Sequence, residues 1–288
     1  MNIPEASVTE TVVSISTAGS FVKIMASPYL RRTALKTIGA IIYNFFILQY
    51  RAAILPGRIP VSKADHPLDR KIPFTPGKIA VYLDFTAFWI RVLGFLLKRF
   101  KRRALEPVKR FIETMGLLYA WAAQVYTKNL STTERPRYLA RSRFVVIHAL
   151  DPHLMCIPSL HVMVVIRTYT FFRDILLSLG EAGNYAPRIE EIRQGALAIS
   201  EAVLFVKQHS VNCISAAMYA MTRFDRALFP PEEAKRFASE LFFASLGKED
   251  GEEVRAHILS LYRNFVAEGE KFGRDWTEPL LGFLKTLP

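Results

Sequence analysis

Three short segments of this chain gather residues suited to one kind of chemistry. The first runs from Lys128 to Pro136 and holds Lys128 and Arg135, seven positions apart. The second is Pro158-Ser159-Leu160-His161, and the third is Lys207-Gln208-His209. Together their cations, serine and two histidines form a set suited to binding and transferring a phosphoryl group. Arginine offers a planar fork and lysine a point charge to the non-bridging oxygens of a phosphate. Pro158 and Ser159 suit the first turn of a helix, whose free N–H groups favour an anion. A histidine near neutrality gives a proton to a leaving oxygen and takes one back. A second histidine can attack phosphorus and split one difficult displacement into two. Each segment also has a plainer reading: boundary cations that snorkel, a capped helix start, and a core histidine. Lys207 beside His209 favours a polar break over a core position. His66, His148, His153 and His257 show no ligand spacing, and Asp151-Pro152 reads as a loop former.

The elements that must position these groups are apolar. Hydrophobic residues make up 51% of the 288 and aromatics 12%, and mean hydropathy is +0.17. Apolar stretches run over about 37–56, 79–97, 111–127, 159–179 and 195–222, the last divided at His209, which predicts six membrane helices. Charges inside them (Asp84, Arg91, Arg167, Arg173, Glu201) are expected to pair or face the bundle interior. Asp84 and Arg91 share a helix face. The alternative is a soluble helical bundle with unusually apolar core helices.

The net charge is +12. Residues 1–229 hold 30 Lys and Arg against 15 Asp and Glu, whereas residues 230–288 hold 8 against 11. Basic clusters punctuate the apolar stretches, which favours a membrane surface over nucleic acid as partner. Placing the clusters at 31–36, 98–103, 188–193 and 223–226 on the cytoplasmic side alternates correctly for six spans and puts all three chemical segments on the opposite face. No signal peptide precedes them. Two cysteines, Cys156 and Cys213, give no disulfide framework and no cysteine-based metal site. Residues 1–30 read as a tail or interfacial helix, 31–229 as the membrane domain, and 230–288 as an acidic, helical, cytoplasmic tail with a stripe at Val254, Ile258, Leu261, Tyr262 and Phe265.

The segments resemble the signatures of the phosphatidic acid phosphatase type 2 (PAP2) superfamily. Lys128, Arg135 and Pro136 match K-x6-R-P, and Pro158, Ser159 and His161 match P-S-x-H. The third signature, S-R-x5-H-x3-D, is matched at His209, while Ala202, Val203 and Cys213 occupy its serine, arginine and aspartate places. Ile72-Pro73-Phe74-Thr75-Pro76 and Lys207-Gln208-His209 are similar to wording in the branch holding inositol phosphorylceramide and sphingomyelin synthases and related bacterial proteins. The resemblance spans about residues 36–222.

It implies an all-α, six-transmembrane-helix bundle with the small helical tail appended, in a bacterial inner membrane with its site on the periplasmic or outer side. The implied activity is that of a lipid phosphatase or phosphotransferase on a phosphorylated lipid, with no metal and no cofactor. Lys128, Arg135, Ser159 and Lys207 would hold phosphate, His209 would carry it, and His161 would move the proton. The aspartate missing at Cys213 would orient the nucleophile; Asp151 or Glu201 could replace it. A catalytically impaired descendant that binds phospholipid or a protein partner is the alternative.

Overall fold

The computed structural model describes residues 10–138, 140, 142–273 and 275–288. The first nine residues of the expected N-terminal tail therefore lie outside the described residues. The chain is mostly helical. Ser16 accepts from Gly19 N–H and opens α1 (Thr17–Ala26). Ser27, with Pro28 behind it, starts α2 (Pro28–Ile54), which includes a π-helical turn at Ile42–Ile47. A loop with the short strand β1 (Val61–Lys63) leads to α3 (Ile79–Leu83) and α4 (Phe85–Phe100). Next come α5 (Leu105–Tyr126), β2 (Leu130–Thr132), α6 (Ser142–Leu150) and α7 (Leu160–Ser178). Then follow α8 (Ala186–Phe205) and α9 (Val211–Phe224). The last region holds α10 (Pro231–Glu240), α11 (Lys248–Lys271) and α12 (Glu278–Thr286). The strands pair in parallel, with Val61 opposite Leu130.

The hub is α7, buried along nearly its whole length and packed by α4, α5, α8 and α9. Its buried aromatics interlock with those of its neighbours: Phe172 meets Phe95 edge-on, and Phe171 meets Phe111. Offset and edge-on ring pairs of this kind add to the gain from area burial. Charges inside the helices pair as expected. Arg91 donates to Asp84 at 2.9 Å, and Arg167, 3% exposed, reaches Asp225 at 2.6 Å.

Helices thus occupy each of the apolar stretches. By length and composition only α2 qualifies to cross a membrane among the described residues, or a second span if Pro76–Leu83 and Phe85–Tyr126, bent by 41°, count as one. The outward face of α2 is apolar, with Ile42, Tyr43, Phe46, Ile47 and Ile54 exposed.

The C-terminal region packs against the rest of the helical chain. Along α9, Ser215 donates to the Ile258 carbonyl at 3.1 Å and Thr222 meets Tyr262 at 3.0 Å. Val254, Ile258, Tyr262 and Phe265 are buried in that contact, so their stripe is a packing face. The far face of α11 exposes Glu252, Glu253, Arg263 and Glu270, a surface unsuited to hydrocarbon. The chain then returns toward the first loop, where Ser62 Oγ donates to the Leu284 carbonyl at 2.8 Å and Lys63 N–H to the Pro288 carbonyl at 2.7 Å. A region docked this way meets the same loops that surround the chemical segments. Acidic composition marked its outer face and hid the apolar stripe's partner.

Candidate functional site

The second signature sits where β2 meets α7. Ile157 N–H donates to Ser131 Oγ at 2.7 Å, and the Tyr126 hydroxyl at the end of α5 donates to the Pro158 carbonyl. These bonds pin the entry to α7, so Ser159 stands at its N-cap and His161 one position into the helix. The third signature sits on the turn between α8 and α9. Lys207 takes a left-handed conformation, φ 55°, and Gln208 and His209 N–H both bond back to the Val203 carbonyl. The turn is clamped from above by the loop at 66–72. Lys207 Nζ donates to the carbonyls of Asp69 and Ile72, and Asp69 accepts from Val211 N–H at 2.9 Å.

These two turns converge. Ser159 Oγ lies 3.4 Å from His209 Nε2, and the rings of His161 and His209 are 5.5 Å apart, centre to centre. His161 is stacked on Tyr82 at 4.5 Å and meets Phe85, tilted by 53°, at 4.2 Å. Tyr82 and Phe85 flank the break at Asp84 between α3 and α4, which brings both rings to one imidazole. His209 is 7% exposed, and its Nδ1 is buried with no hydrogen-bond partner among the described residues.

The residues expected to bind phosphate divide. Arg135 belongs to the cluster: it donates to Gln208 Oε1 at 3.3 Å and to the Asp151 carbonyl at 2.9 Å, with the Asp151 carboxylate 3.6 Å away. Lys128 is directed elsewhere, to Thr277 Oγ1 at 3.0 Å and Asp275 at 3.7 Å in the C-terminal region. Lys207 is occupied by its two carbonyls. The structure therefore joins Ser159, His161 and His209, sets Arg135 beside them through Gln208, and uses Lys128 and Lys207 to fasten neighbouring segments.

Cys213 also has its own task. Its sulfur accepts from Ser210 N–H at 3.4 Å and caps α9. Cys156 and Cys213 are both buried free thiols. Neither suggested substitute carboxylate reaches His209 Nδ1. Glu201 accepts from Phe242 N–H at 2.7 Å, and Asp151 serves His153. His153 N–H donates to Asp151 Oδ1 at 2.9 Å, and His153 Nδ1 lies 3.7 Å from Oδ2.

His153 is the residue that sequence reasoning passed over. It is 7% exposed and sits in the left-handed region at φ 59°. There a non-glycine residue is uncommon, though histidine is tolerated better than most. Its Nε2 is 2.8 Å from Thr133 Oγ1 and 3.8 Å from Cys156 Sγ. Burial opposes the charge on His153, but Cys156 and Asp151 outweigh it and raise the imidazole to about 9. Burial likewise opposes charge on Asp151, yet the bonds from His153 and the nearby Arg135 hold its carboxyl down at about 2. The available signal was spacing, since Asp151, His153 and Cys156 fall within six positions. Nothing in the sequence marked Tyr82 or Phe85, and Gln208 entered only as the middle of the third segment.

His153, Cys156, His161, Gln208 and His209 line one small cavity of about 30 Å³, room for about one water molecule. Arg135 and Gln208 separate it from a wider groove of about 710 Å³ whose walls include Arg70, Glu134, Pro136 and Lys207. On another side, past Leu48 and Leu154, lies an apolar recess of about 510 Å³ under α2. Among the described residues no three His, Cys, Asp or Glu side chains are grouped to hold a metal ion. The arrangement places a hydroxyl and two imidazoles side by side, with a guanidinium bonded to the adjacent Gln208. No family model matches the sequence, no curated protein is significantly similar to it, and no solved structure significantly resembles its fold.

Proposed function

We propose that the chain transfers a phosphoryl group from a phosphorylated lipid to water or an acceptor hydroxyl, through a phosphohistidine on His209. The observation that carries this reading is the approach of Ser159 and His161 to His209, with Arg135 bonded to the adjacent Gln208, from segments up to 74 positions apart. Arg135 and Ser159 would hold the phosphate oxygens. His209 Nε2 would attack phosphorus, and a neighbouring imidazole would protonate the departing alcohol and later activate the acceptor. A lipid substrate suits the surroundings, with an apolar recess under α2 on one side and a charged groove on the other. The exposed apolar face of α2 supports attachment to a membrane. The six-span arrangement, the bacterial inner membrane and a site on its outer side are the topology that the sequence resemblance adds to this reading.

A catalytically impaired, lipid-binding protein is the second reading. It is favoured by the unpartnered His209 Nδ1, which an orienting carboxylate would otherwise hold. In a serine-protease triad, losing the correct hold on the histidine costs roughly 10⁴ in rate. Phosphate release from a panel of lipid phosphates and diphosphates in detergent separates the two. The first reading expects turnover in the wild type that disappears in His209→Ala. Silence in the wild type with activity gained in Cys213→Asp supports the second. Silence in all variants, with no headgroup transfer, rejects the enzyme.

A further inference from the structure

We propose that Gln49 holds the water that discharges the phosphohistidine, so that the acceptor at this site is water and not a second alcohol. The inference rests on the phosphoryl-transfer reading and names the acceptor within it. Gln49 lies on α2 one helical turn after Phe45, and both line the small cavity beside His161 and His209. It is 2% exposed and follows directly on the π-helical turn at Ile42–Ile47. Such turns insert a residue, re-aim the side chains after them and are frequent at functional sites. Asn44, the amide within the turn, is satisfied by the Ala40 carbonyl at 2.9 Å. Gln208, on the same cavity, accepts from Arg135 and donates to the Val206 carbonyl. The Gln49 amide, by contrast, makes no hydrogen bond to any described residue, and neither does the His161 imidazole. Buried amides are nearly always hydrogen-bonded, so one left open on a cavity wall points to a molecule that enters.

The size of the space selects what that molecule is. A cavity of about 30 Å³ admits a water, which needs several polar partners. Its bordering residues Gln49, His161 and His209 carry an amide, an imidazole and a ring nitrogen, Nδ1, that have none within the described protein. Walls that enclose about one water stand about a water's breadth apart, so a water held by Gln49 lies against both imidazoles. Gln49 Oε1 would accept one of its O–H groups and leave the other for His161. The step balances without any further reactant. The water oxygen bonds phosphorus as the bond from phosphorus to His209 Nε2 breaks, and the electron pair of that bond returns to Nε2. The proton of the water passes to neutral His161, and inorganic phosphate leaves. A second alcohol would need more room than the cavity gives beside Gln49.

The test compares the wild type, Gln49→Leu and Gln49→Ala in detergent, on the lipid phosphate of the panel that the wild type turns over, with and without added methanol. Gln49→Leu removes the amide at similar volume. It should slow the decay of label on phosphorylated His209 by about 10²-fold and leave its formation unchanged. The lipid alcohol then appears in a burst of about one equivalent per protein, and kcat and KM fall together while kcat/KM holds. A merely structural residue would lower kcat/KM and Tm. The Gln49→Leu protein should melt no lower than the wild type, because no protein hydrogen bond is lost. Gln49→Ala enlarges the cavity and should raise the share of methyl phosphate among the products several-fold. Label that decays at the wild-type rate in Gln49→Leu, or a methyl phosphate share unchanged in Gln49→Ala, overturns the role of Gln49 while leaving the phosphoryl-transfer reading standing. A wild type that turns over no member of the panel overturns that reading and the water site with it.

Discussion

Replacing Asp151 by asparagine should destabilise the protein by an amount that rises and falls with pH in a defined way. The Asp151 carboxyl is held at about 2 against a usual 3.8, which at about 1.4 kcal/mol per pH unit is worth about 2 kcal/mol. His153 reports the same pair from the other side, raised to about 9 from 6.5. That larger displacement includes the Cys156 sulfur, and the pair contributes once. The carboxyl is depressed on folding, so its contribution is present above pH 3.8 and fades as pH falls toward 2. The imidazole is raised on folding, so its contribution is complete below pH 6.5 and fades as pH rises toward 9. The wild type should therefore exceed Asp151→Asn most between about pH 4 and 6.5, by roughly 4 °C in Tm for a chain of this length. The gap should close at both extremes. Thermal unfolding of both proteins in one detergent, followed by circular dichroism from pH 3 to 9, measures it. A gap that is absent at pH 5.5, or that does not vary with pH, would refute the argument that the two residues form a charged pair.

Two further expectations follow from local packing. Lys207→Met removes the ammonium that ties the turn before His209 to the carbonyls of Asp69 and Ile72. It should cost about 2 kcal/mol and raise amide exchange across 66–72, and unchanged exchange there would contradict the clamp. Gly94→Ala places a methyl group 2.7 Å from Ser20 Cβ where α1 crosses α4. It should destabilise by about 1–3 kcal/mol, and a Tm equal to the wild type would show that α1 is not docked.

The helical architecture was readable because its signal is local. The apolar run ending in Phe205, the polar break at Lys207-Gln208-His209 and the restart at Val211 follow from side-chain periodicity alone. Pairing of Asp84 with Arg91 followed from seven-residue spacing on one helix. The convergence of Ser159 with His209 was legible only through motif order, since no local rule brings together residues 50 positions apart. The destinations of Lys128 and Lys207 were hidden for the opposite reason. A long flexible side chain chooses among partners set by tertiary structure, here Thr277 and the carbonyls of Asp69 and Ile72. His153 was obscured because its value depends on a left-handed backbone and on a loop carboxylate that curls beneath it. The C-terminal region looked separate because charge marks the outer face of α11, while the stripe from Val254 to Phe265 names no partner until α9 lies against it.

The proposed activity turns on His209 carrying a phosphoryl group between donor and acceptor. The most direct measurement is to mix the protein with phosphatidate labelled at phosphorus, quench within one turnover under alkaline conditions that preserve phosphohistidine, and map the label by mass spectrometry in the wild type and in His209→Ala. Label is expected on His209, discharged by added acceptor or with time, and none in the variant. Phosphate release without label on His209, or release that persists in His209→Ala, would contradict it.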